Sequence, residues 1–307
     1  MNSIKDNAKI INTTDINIED LEITGLPSGV KVATMCCSCF LNTKINLDNI
    51  EKYLALNSDD VLVIKKTKEN FKTLIELKKP TKRNVAPKKK QNGNNFYNSI
   101  TLIIRVTSGH TMDLDKEPNI NVKIFKNGSL QMSGCKTIYD VSTALNKLIT
   151  KLSQVKGIKE DNVIKQITFF ETSNNITINN FKIDMIYCNY RISIQIDREK
   201  LYGLLKKKKI KCIYEPCIRA CVSVKYVPEN NNIGNKEVSI FIFKKGNIII
   251  TGARSKKQIL ESYNFINNII ITHSDEIIKK NDDFEEKMIL DLYNDVMMEA
   301  KQGLVTI

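Results

Sequence analysis

One pattern, written twice, restricts the folds open to this chain more than anything else in it. Residues 121–136 read N-V-K-I-F-K-N-G-S-L-Q-M-S-G-C-K, and residues 239–254 read S-I-F-I-F-K-K-G-N-I-I-I-T-G-A-R. Each spells a strand, a tight turn at Asn127 and Gly128 or at Lys245 and Gly246, a second strand, and a small-Gly-small-basic step into a helix. The helices expected next, over 137–152 and 256–271, both carry apolar residues at helical spacing. Upstream, a strand at 31–38 with a helix at 47–56 parallels a strand at 182–189 with a helix at 196–205, and Tyr53 and Tyr202 fall in matching helices. Strands at 100–106 and 220–226 complete the copies. Each copy is strand, helix, three strands, helix, and the short hairpin turns force antiparallel pairing. The expected class is therefore α+β, built from two pseudo-symmetric repeats. The organisation read from this is an N-terminal extension (1–29), a first repeat (30–152) with a basic insertion at about 65–98, a bridge (153–180), a second repeat (181–272) and an acidic C-terminal extension (273–307).

Side chains alternate across a strand, so the hairpins predict two faces. In the first, Val122, Ile124, Leu130 and Met132 share the parity of a core face, leaving Lys123, Phe125, Gln131 and Ser133 on the other. In the second, Ile240, Ile242, Ile248 and Ile250 turn inward, and Phe241, Phe243, Ile249 and Thr251 turn outward. Each repeat supplies long helices for one face only. The other face is expected to be bare, and a bare sheet face on a cationic chain is a candidate binding surface. The competing reading is that both faces are covered and the strands are apolar throughout.

The chain is cationic: 47 Lys and Arg against 34 Asp and Glu give +13 over 307 residues. That balance predicts attraction to a polyanion by a term that is blind to sequence and screened by salt. No apolar run reaches the roughly 18 residues of a membrane span and no signal peptide is read at the start, so a soluble intracellular protein is expected. The eight cysteines read as reduced thiols. Cys36 and Cys39 have C-x-x-C spacing, but they lie in a strand whose neighbours point apart, which argues against four ligands converging on zinc. The only histidines are His110 and His273, and no phosphate-binding loop, nucleophile elbow or metalloprotease helix occurs. The expectation is no enzyme, no cofactor, no metal and no small-molecule substrate.

The residues resemble the conserved core of the TATA-box-binding protein family. That family's hairpins read L-I-F-x-S-G-K-x-V-x-T-G-A-K, close to K-I-F-K-N-G-S-L-Q-M-S-G-C-K and F-I-F-K-K-G-N-I-I-I-T-G-A-R here. Y-E-P at 214–216 and F-K-I at 181–183 match its second repeat. The resemblance implies a saddle of ten antiparallel strands, with helices on the convex side binding transcription factors and the concave side in the minor groove of double-stranded, A·T-rich DNA. It implies Phe125 and Phe243 as wedges, with Phe241, Lys123 and Gln131 on the same face. Ser133, Thr251 and Ile249 are implied as groove contacts, and Arg105 and Lys225 as neighbours of phosphates. A partner resembling transcription factor IIB, the RNA polymerase machinery, and a nuclear or viral-factory location follow from the same likeness. The abundance of Asn, Ile and Lys is what the A+T-rich genome of a protist or a large DNA virus encodes.

The departures are equally specific. The family's other wedge in each repeat falls near Ser99 and Arg219, with Phe96 or Phe71 as first-half substitutes if the alignment shifts. Its paired central asparagines are replaced within 34–36 and 184–186, and Gln131 stands in place of a valine. The implied function is a general transcription initiation factor. The alternative is an interaction or architectural platform of the same fold with weak, non-bending, non-specific DNA binding. Two basic runs, 78–90 and 206–211, and an acidic amphipathic stretch, 282–301, are additions; the first either reaches phosphates beyond the core or is a solvated loop, the second is expected on the convex side or a stirrup loop, and the last is expected to pack on the back of the saddle, the alternative being that it covers the concave face.

Overall fold

The computed structural model describes residues 23–67, 70–76, 98–106, 119–160, 163–172, 176–229 and 236–278. The first repeat comprises β1 (Lys31–Leu41), α1 (Leu47–Tyr53), β2 (Val61–Lys65), β3 (Phe71–Thr73), β4 (Ser99–Arg105), β5 (Asn119–Phe125), β6 (Ser129–Cys135) and α2 (Ile138–Leu152). A hairpin of β7 (Lys156–Glu160) and β8 (Val163–Ile167) follows. The second repeat comprises β9 (Ile178–Arg191), α3 (Arg198–Lys207), β10 (Cys212–Ile213), β11 (Cys221–Tyr226), β12 (Val238–Phe243), β13 (Asn247–Ala253), α4 (Lys256–Thr272) and a single turn, α5 (Ser274–Ile277). The protein is α+β, with the duplicated order that the repeat predicts.

Two compact units form, one from Met1–Asn189 with Ile250–Leu260, the other from Tyr190–Ile249 with Glu261–Ile307. In the first unit the strands lie in the order β9-β1-β6-β5-β4-β2-β3, with the end of β13 on the free side of β9. In the second the order is β10-β11-β12-β13. The ladders β1–β6, β1–β9, β2–β3, β2–β4, β4–β5, β5–β6, β7–β8, β10–β11 and β11–β12 are all antiparallel. Eleven described strands belong to these sheets, against ten implied by the resemblance. The additional one is β3, which pairs Phe71 with Lys65 inside the stretch read as an insertion.

The core parity of the first hairpin is as read from sequence. Val122, Ile124 and Leu130 are fully buried and Met132 nearly so, and Val141, Ala144, Leu145, Leu148 and Leu152 of α2 are buried at helical spacing. A capping box opens α2: Thr137 accepts from Asp140 N at 3.1 Å, and the Asp140 carboxylate accepts from Thr137 N at 3.0 Å and Lys136 N at 2.7 Å. In the second hairpin Ile240, Ile242, Ile248 and Ile250 are fully buried. Within the second unit Tyr226 stacks on Phe265 at 4.4 Å, and Tyr190 lies 4.9 Å from Tyr263 while its hydroxyl donates to Asn267. Both hairpin turns place a glycine at positive φ, Gly128 at 91° and Gly246 at 76°. A Cβ on Gly128 would stand 2.5 Å from Thr43 O, and one on Gly246 would run into Ile192 O, so neither turn accepts a side chain.

Several boundaries differ from the sequence reading, each for a local reason. The helix expected from 196 begins at Arg198, because Ile196 is drawn into a β-bridge with Ile278 and Asp197 caps the helix through Glu199 N and Lys200 N. Helix α1 stops at Tyr53, where Leu54 turns extended and buries its side chain. Strand β2 fills a stretch that carried no assignment, and all of Val61, Leu62, Val63 and Ile64 are buried. The bridge between repeats is also structured. Beyond the β7–β8 hairpin, Phe169 and Phe170 are buried; Asn46 N donates to Phe169 O at 2.8 Å and Glu171 N to Lys44 O at 3.0 Å.

Candidate nucleic-acid interface

Cross-strand partners share a face, so the register defines which residues stand together opposite the helices. In the first unit one row runs Thr101–Lys123–Gln131–Ser38–Lys182 across β4, β5, β6, β1 and β9. A second runs Ile103–Asn121–Ser133–Cys36–Met185. Ser99 faces Phe125 at the end of the hairpin, and Arg105 faces Asn119 at its start. The burial pattern fits one covered and one accessible side at β5 and β6: Asn119, Asn121 and Gln131 are exposed, and Lys123, Phe125 and Ser133 are half-buried. Toward β2 the accessible side closes, because Val63, on the face of Ile103, is buried.

The structure brings six of the sequence-predicted residues together in this unit: Arg105, Lys123, Phe125, Gln131, Ser133 and Thr251. The Lys123 ammonium lies 5.8 Å from the centre of the Phe125 ring, so cation and wedge candidate share one patch. Thr251 donates to Met185 Sδ at 3.2 Å, which places a thioether among the hydroxyls. Arg105 is held through its backbone, its N donating to Asp60 O at 2.8 Å and its O accepting from Lys147 Nζ at 3.0 Å. Arg105 Nε and Ser38 Oγ are buried without a hydrogen-bond partner, and both residues belong to this face.

In the second unit Phe241, Phe243 and Ile249 are half-buried on the side opposite the buried isoleucines. Cys221 faces Phe243, Ser223 faces Phe241, and Lys225 faces Ser239, to whose Oγ it donates at 2.7 Å. The four predicted residues of this unit, Phe241, Phe243, Ile249 and Lys225, thus share one face. The two candidate phosphate neighbours are not equivalently placed. Arg105 faces the residue six before Phe125, whereas Lys225 faces the residue four before Phe243. Measured from the phenylalanine, Lys225 matches Ile103 and not Arg105. The position facing Phe243 is likewise Cys221, two residues beyond Arg219.

Sequence reasoning missed Thr101, Asn121, Ser38, Cys36 and Met185 on the first face. The signal was available for Asn121, which alternates with Lys123. The β1 and β9 residues were hidden by register shifts at Met35/Cys36 and Cys36/Cys37 that strand periodicity does not reveal. Of the first-half substitutes for the wedge, Phe71 is exposed in β3 beside Lys65, and Phe96 lies outside the described residues. So do the basic run 78–90 and the acidic stretch 282–301. Lys206, Lys207, Lys208, Lys209 and Lys211 are exposed at and after the end of α3.

The cysteines divide by face. Cys37 and Cys39 are buried on the core side, and Cys36, half-buried, is on the other, so the C-x-x-C pair points in opposite directions. Burial pushes the thiols of Cys39, Cys135 and Cys188 up to about 12, and that of Cys37 higher still, leaving them protonated at neutral pH. Among the described residues no group of His, Cys, Asp or Glu is arranged to hold a metal, and no helix is long and apolar enough to cross a membrane.

The model of the family described as "Transcription factor TFIID (or TATA-binding protein, TBP)" matches residues 180–273, most of the second repeat. A protein described as TATA-box-binding protein-like, from Acanthamoeba polyphaga mimivirus, is 35% identical over 257 residues, covering 78% of this chain and 65% of that protein. The chain therefore spans just under two thirds of that relative's length. The solved structure of Methanococcus jannaschii TBP aligns with 80% of this chain and 98% of its own, at 16% identity and a TM-score of 0.44. Residues 180–273 thus carry a domain of the TATA-binding protein family, and the chain as a whole is similar to a viral TATA-box-binding protein-like relative.

Proposed function

We propose that the chain is a general transcription initiation factor that binds promoter DNA in the minor groove through the accessible faces of its two hairpins. The observation that carries the reading is the placement of Phe125 and Phe243 at the same point of two duplicated hairpins, each on the face opposite a buried apolar core. The minor groove at A·T pairs offers acceptors and lacks the guanine amino group, so a face of half-buried aromatic, aliphatic and hydroxyl side chains suits it. Arg105, Lys123 and Lys225 supply charge for phosphates. Each such contact, when neutralised, removes about one unit from the slope of log affinity against log salt. No reaction and no cofactor belong to this reading. Its partners are DNA, an initiation factor resembling transcription factor IIB and the polymerase machinery, with the work done in a nucleus or a viral factory.

One feature favours a second reading, an architectural platform that binds DNA without bending it sharply. The residue facing each phenylalanine is small, Ser99 in one repeat and Cys221 in the other, and both are buried. Where a small side chain faces the wedge phenylalanine, that facing pair has one ring and not two to insert between base steps. The test is binding to A·T-rich and G·C-rich duplexes across a salt series, with an end-to-end energy-transfer probe. Tight, A·T-preferring, bent complexes support the initiation factor, with Phe243→Ala reducing bending more than Lys225→Ala. Weak binding with neither preference nor bend leaves the platform. Deleting residues 78–90 lowers affinity and flattens the salt slope if that run reaches phosphates; an unchanged slope removes it from the interface.

A further inference from the structure

The two hairpins place different chemistry at equivalent points. Lys123 and Gln131 occupy, in the first repeat, the hairpin positions held in the second by Phe241 and Ile249. Beside Gln131 in its row lies Ser38, whose buried Oγ has no partner, and one row away stands exposed Asn121 facing Ser133. Around Phe241 and Ile249 the strand neighbour is Ser223, which is buried. At these points the first face therefore offers the exposed amides of Gln131 and Asn121, whose oxygens can accept a hydrogen bond, whereas the second presents carbon at Phe241 and Ile249.

We infer that the two faces differ in their response to the guanine amino group: Gln131, aided by Asn121, makes the first face tolerant of it, and Phe241 and Ile249 make the second reject it. The inference rests on the minor-groove reading above and names the DNA that such a protein selects: a site with one half strictly A·T and one half permissive. The physical basis is the minor-groove code. A·T and T·A pairs show acceptors only, and G·C adds the N2 amino donor. An amino group pressed against Phe241 and Ile249 loses its water and gains no acceptor, which costs about tenfold or more in affinity. The Gln131 amide can turn its oxygen to a guanine amino group or its nitrogen to an adenine N3, so it accommodates either pair.

The test uses the full chain and a self-complementary A·T duplex in which adenine is replaced by 2,6-diaminopurine. This base adds the minor-groove amino group and leaves the major-groove edge of the A·T pair as it was. Because the duplex is symmetric, the protein can turn its tolerant face to a half-site carrying the substitution. Substitution in one half then costs less than threefold in affinity, and substitution in both halves costs tenfold or more. Gln131→Val raises the one-half penalty to about tenfold, and Ile249→Gln brings the both-halves penalty down. Equal stepwise penalties for the first and second half, unaffected by either variant, overturn the inference while leaving groove binding intact. Failure to bind the unsubstituted duplex at low salt overturns the groove-binding reading, and this inference with it.

Discussion

The inner and outer faces of the two hairpins have diverged by different rules. On the inner face Val122, Ile124, Leu130 and Met132 correspond to Ile240, Ile242, Ile248 and Ile250, and every one is buried. On the outer face Lys123 corresponds to Phe241 and Gln131 to Ile249, so charge and amide have been exchanged for carbon. A core position is constrained by volume and by the absence of water, which leaves only a choice among aliphatic side chains. An accessible position is constrained by whatever it touches. The lesson is that duplication preserves the packing problem in both copies and frees the contact problem in each.

The largest effect expected in breaking this comparison lies at the turns. Gly128→Ala and Gly246→Ala should each destabilise by about 3 kcal/mol or more, since both force a side chain into positive φ against backbone carbonyls. Thermal unfolding of the two variants measures whether the turns are equivalent. Next in size, Ile124→Ala and Ile242→Ala should each cost about 2–5 kcal/mol in chemical denaturation, because both side chains are fully buried. A large cost at one and a negligible cost at the other would break the claim that the inner faces answer to the same rule.

Smaller still is the cap that starts each second helix. Asp140 accepts from two backbone amides in the first repeat, whereas Gln258 accepts from Arg254 N at 2.8 Å in the second. Asp140→Ala should cost about 1–2 kcal/mol and Gln258→Ala about 1 kcal/mol, read as the difference in unfolding free energy. The smallest effect is electrostatic and belongs to the first repeat. The hydrogen bond from Lys66 at 2.8 Å holds the Asp48 carboxyl below its ordinary range. Its contribution is present above the unfolded carboxylate range and disappears as pH falls through the folded value. Asp48 is mostly exposed, so Lys66→Ala should change the acid limb of a stability–pH curve by no more than about 0.5 kcal/mol through this pair.

What could be read from the residues follows the same division. The hairpins and the helices after them were legible because period-two and period-3.6 apolar patterns occur side by side, twice. Helix α2 begins at Ile138 behind the cap Thr137, within a residue of its predicted start. The five-residue β2 and the two-residue β10 were not legible, since short apolar runs lack a periodicity of their own. In the site, parity placed Phe125 and Gln131 beside Lys123 without help from coordinates. It could not place Ser38, because the register shifts on either side of it, at Cys36/Cys37 and Ser38/Phe40, move its neighbours by a residue each. Nor could it show that Lys225 sits one same-face step closer to its phenylalanine than Arg105 does, because register depends on the lengths of the connecting loops.

The bridge between repeats bears on how such a gene can be dissected. Phe169 is fully buried, and residues 168–171 are hydrogen-bonded along residues 44–49 through Thr168 O, Phe169 O and Glu171 N. What a duplication leaves as a tether has here become a wall of the first copy. Cutting the coding sequence at the apparent repeat boundary near residue 153 would hand that wall to the wrong half. A fragment of the first copy keeps that wall only if it runs on through Glu171.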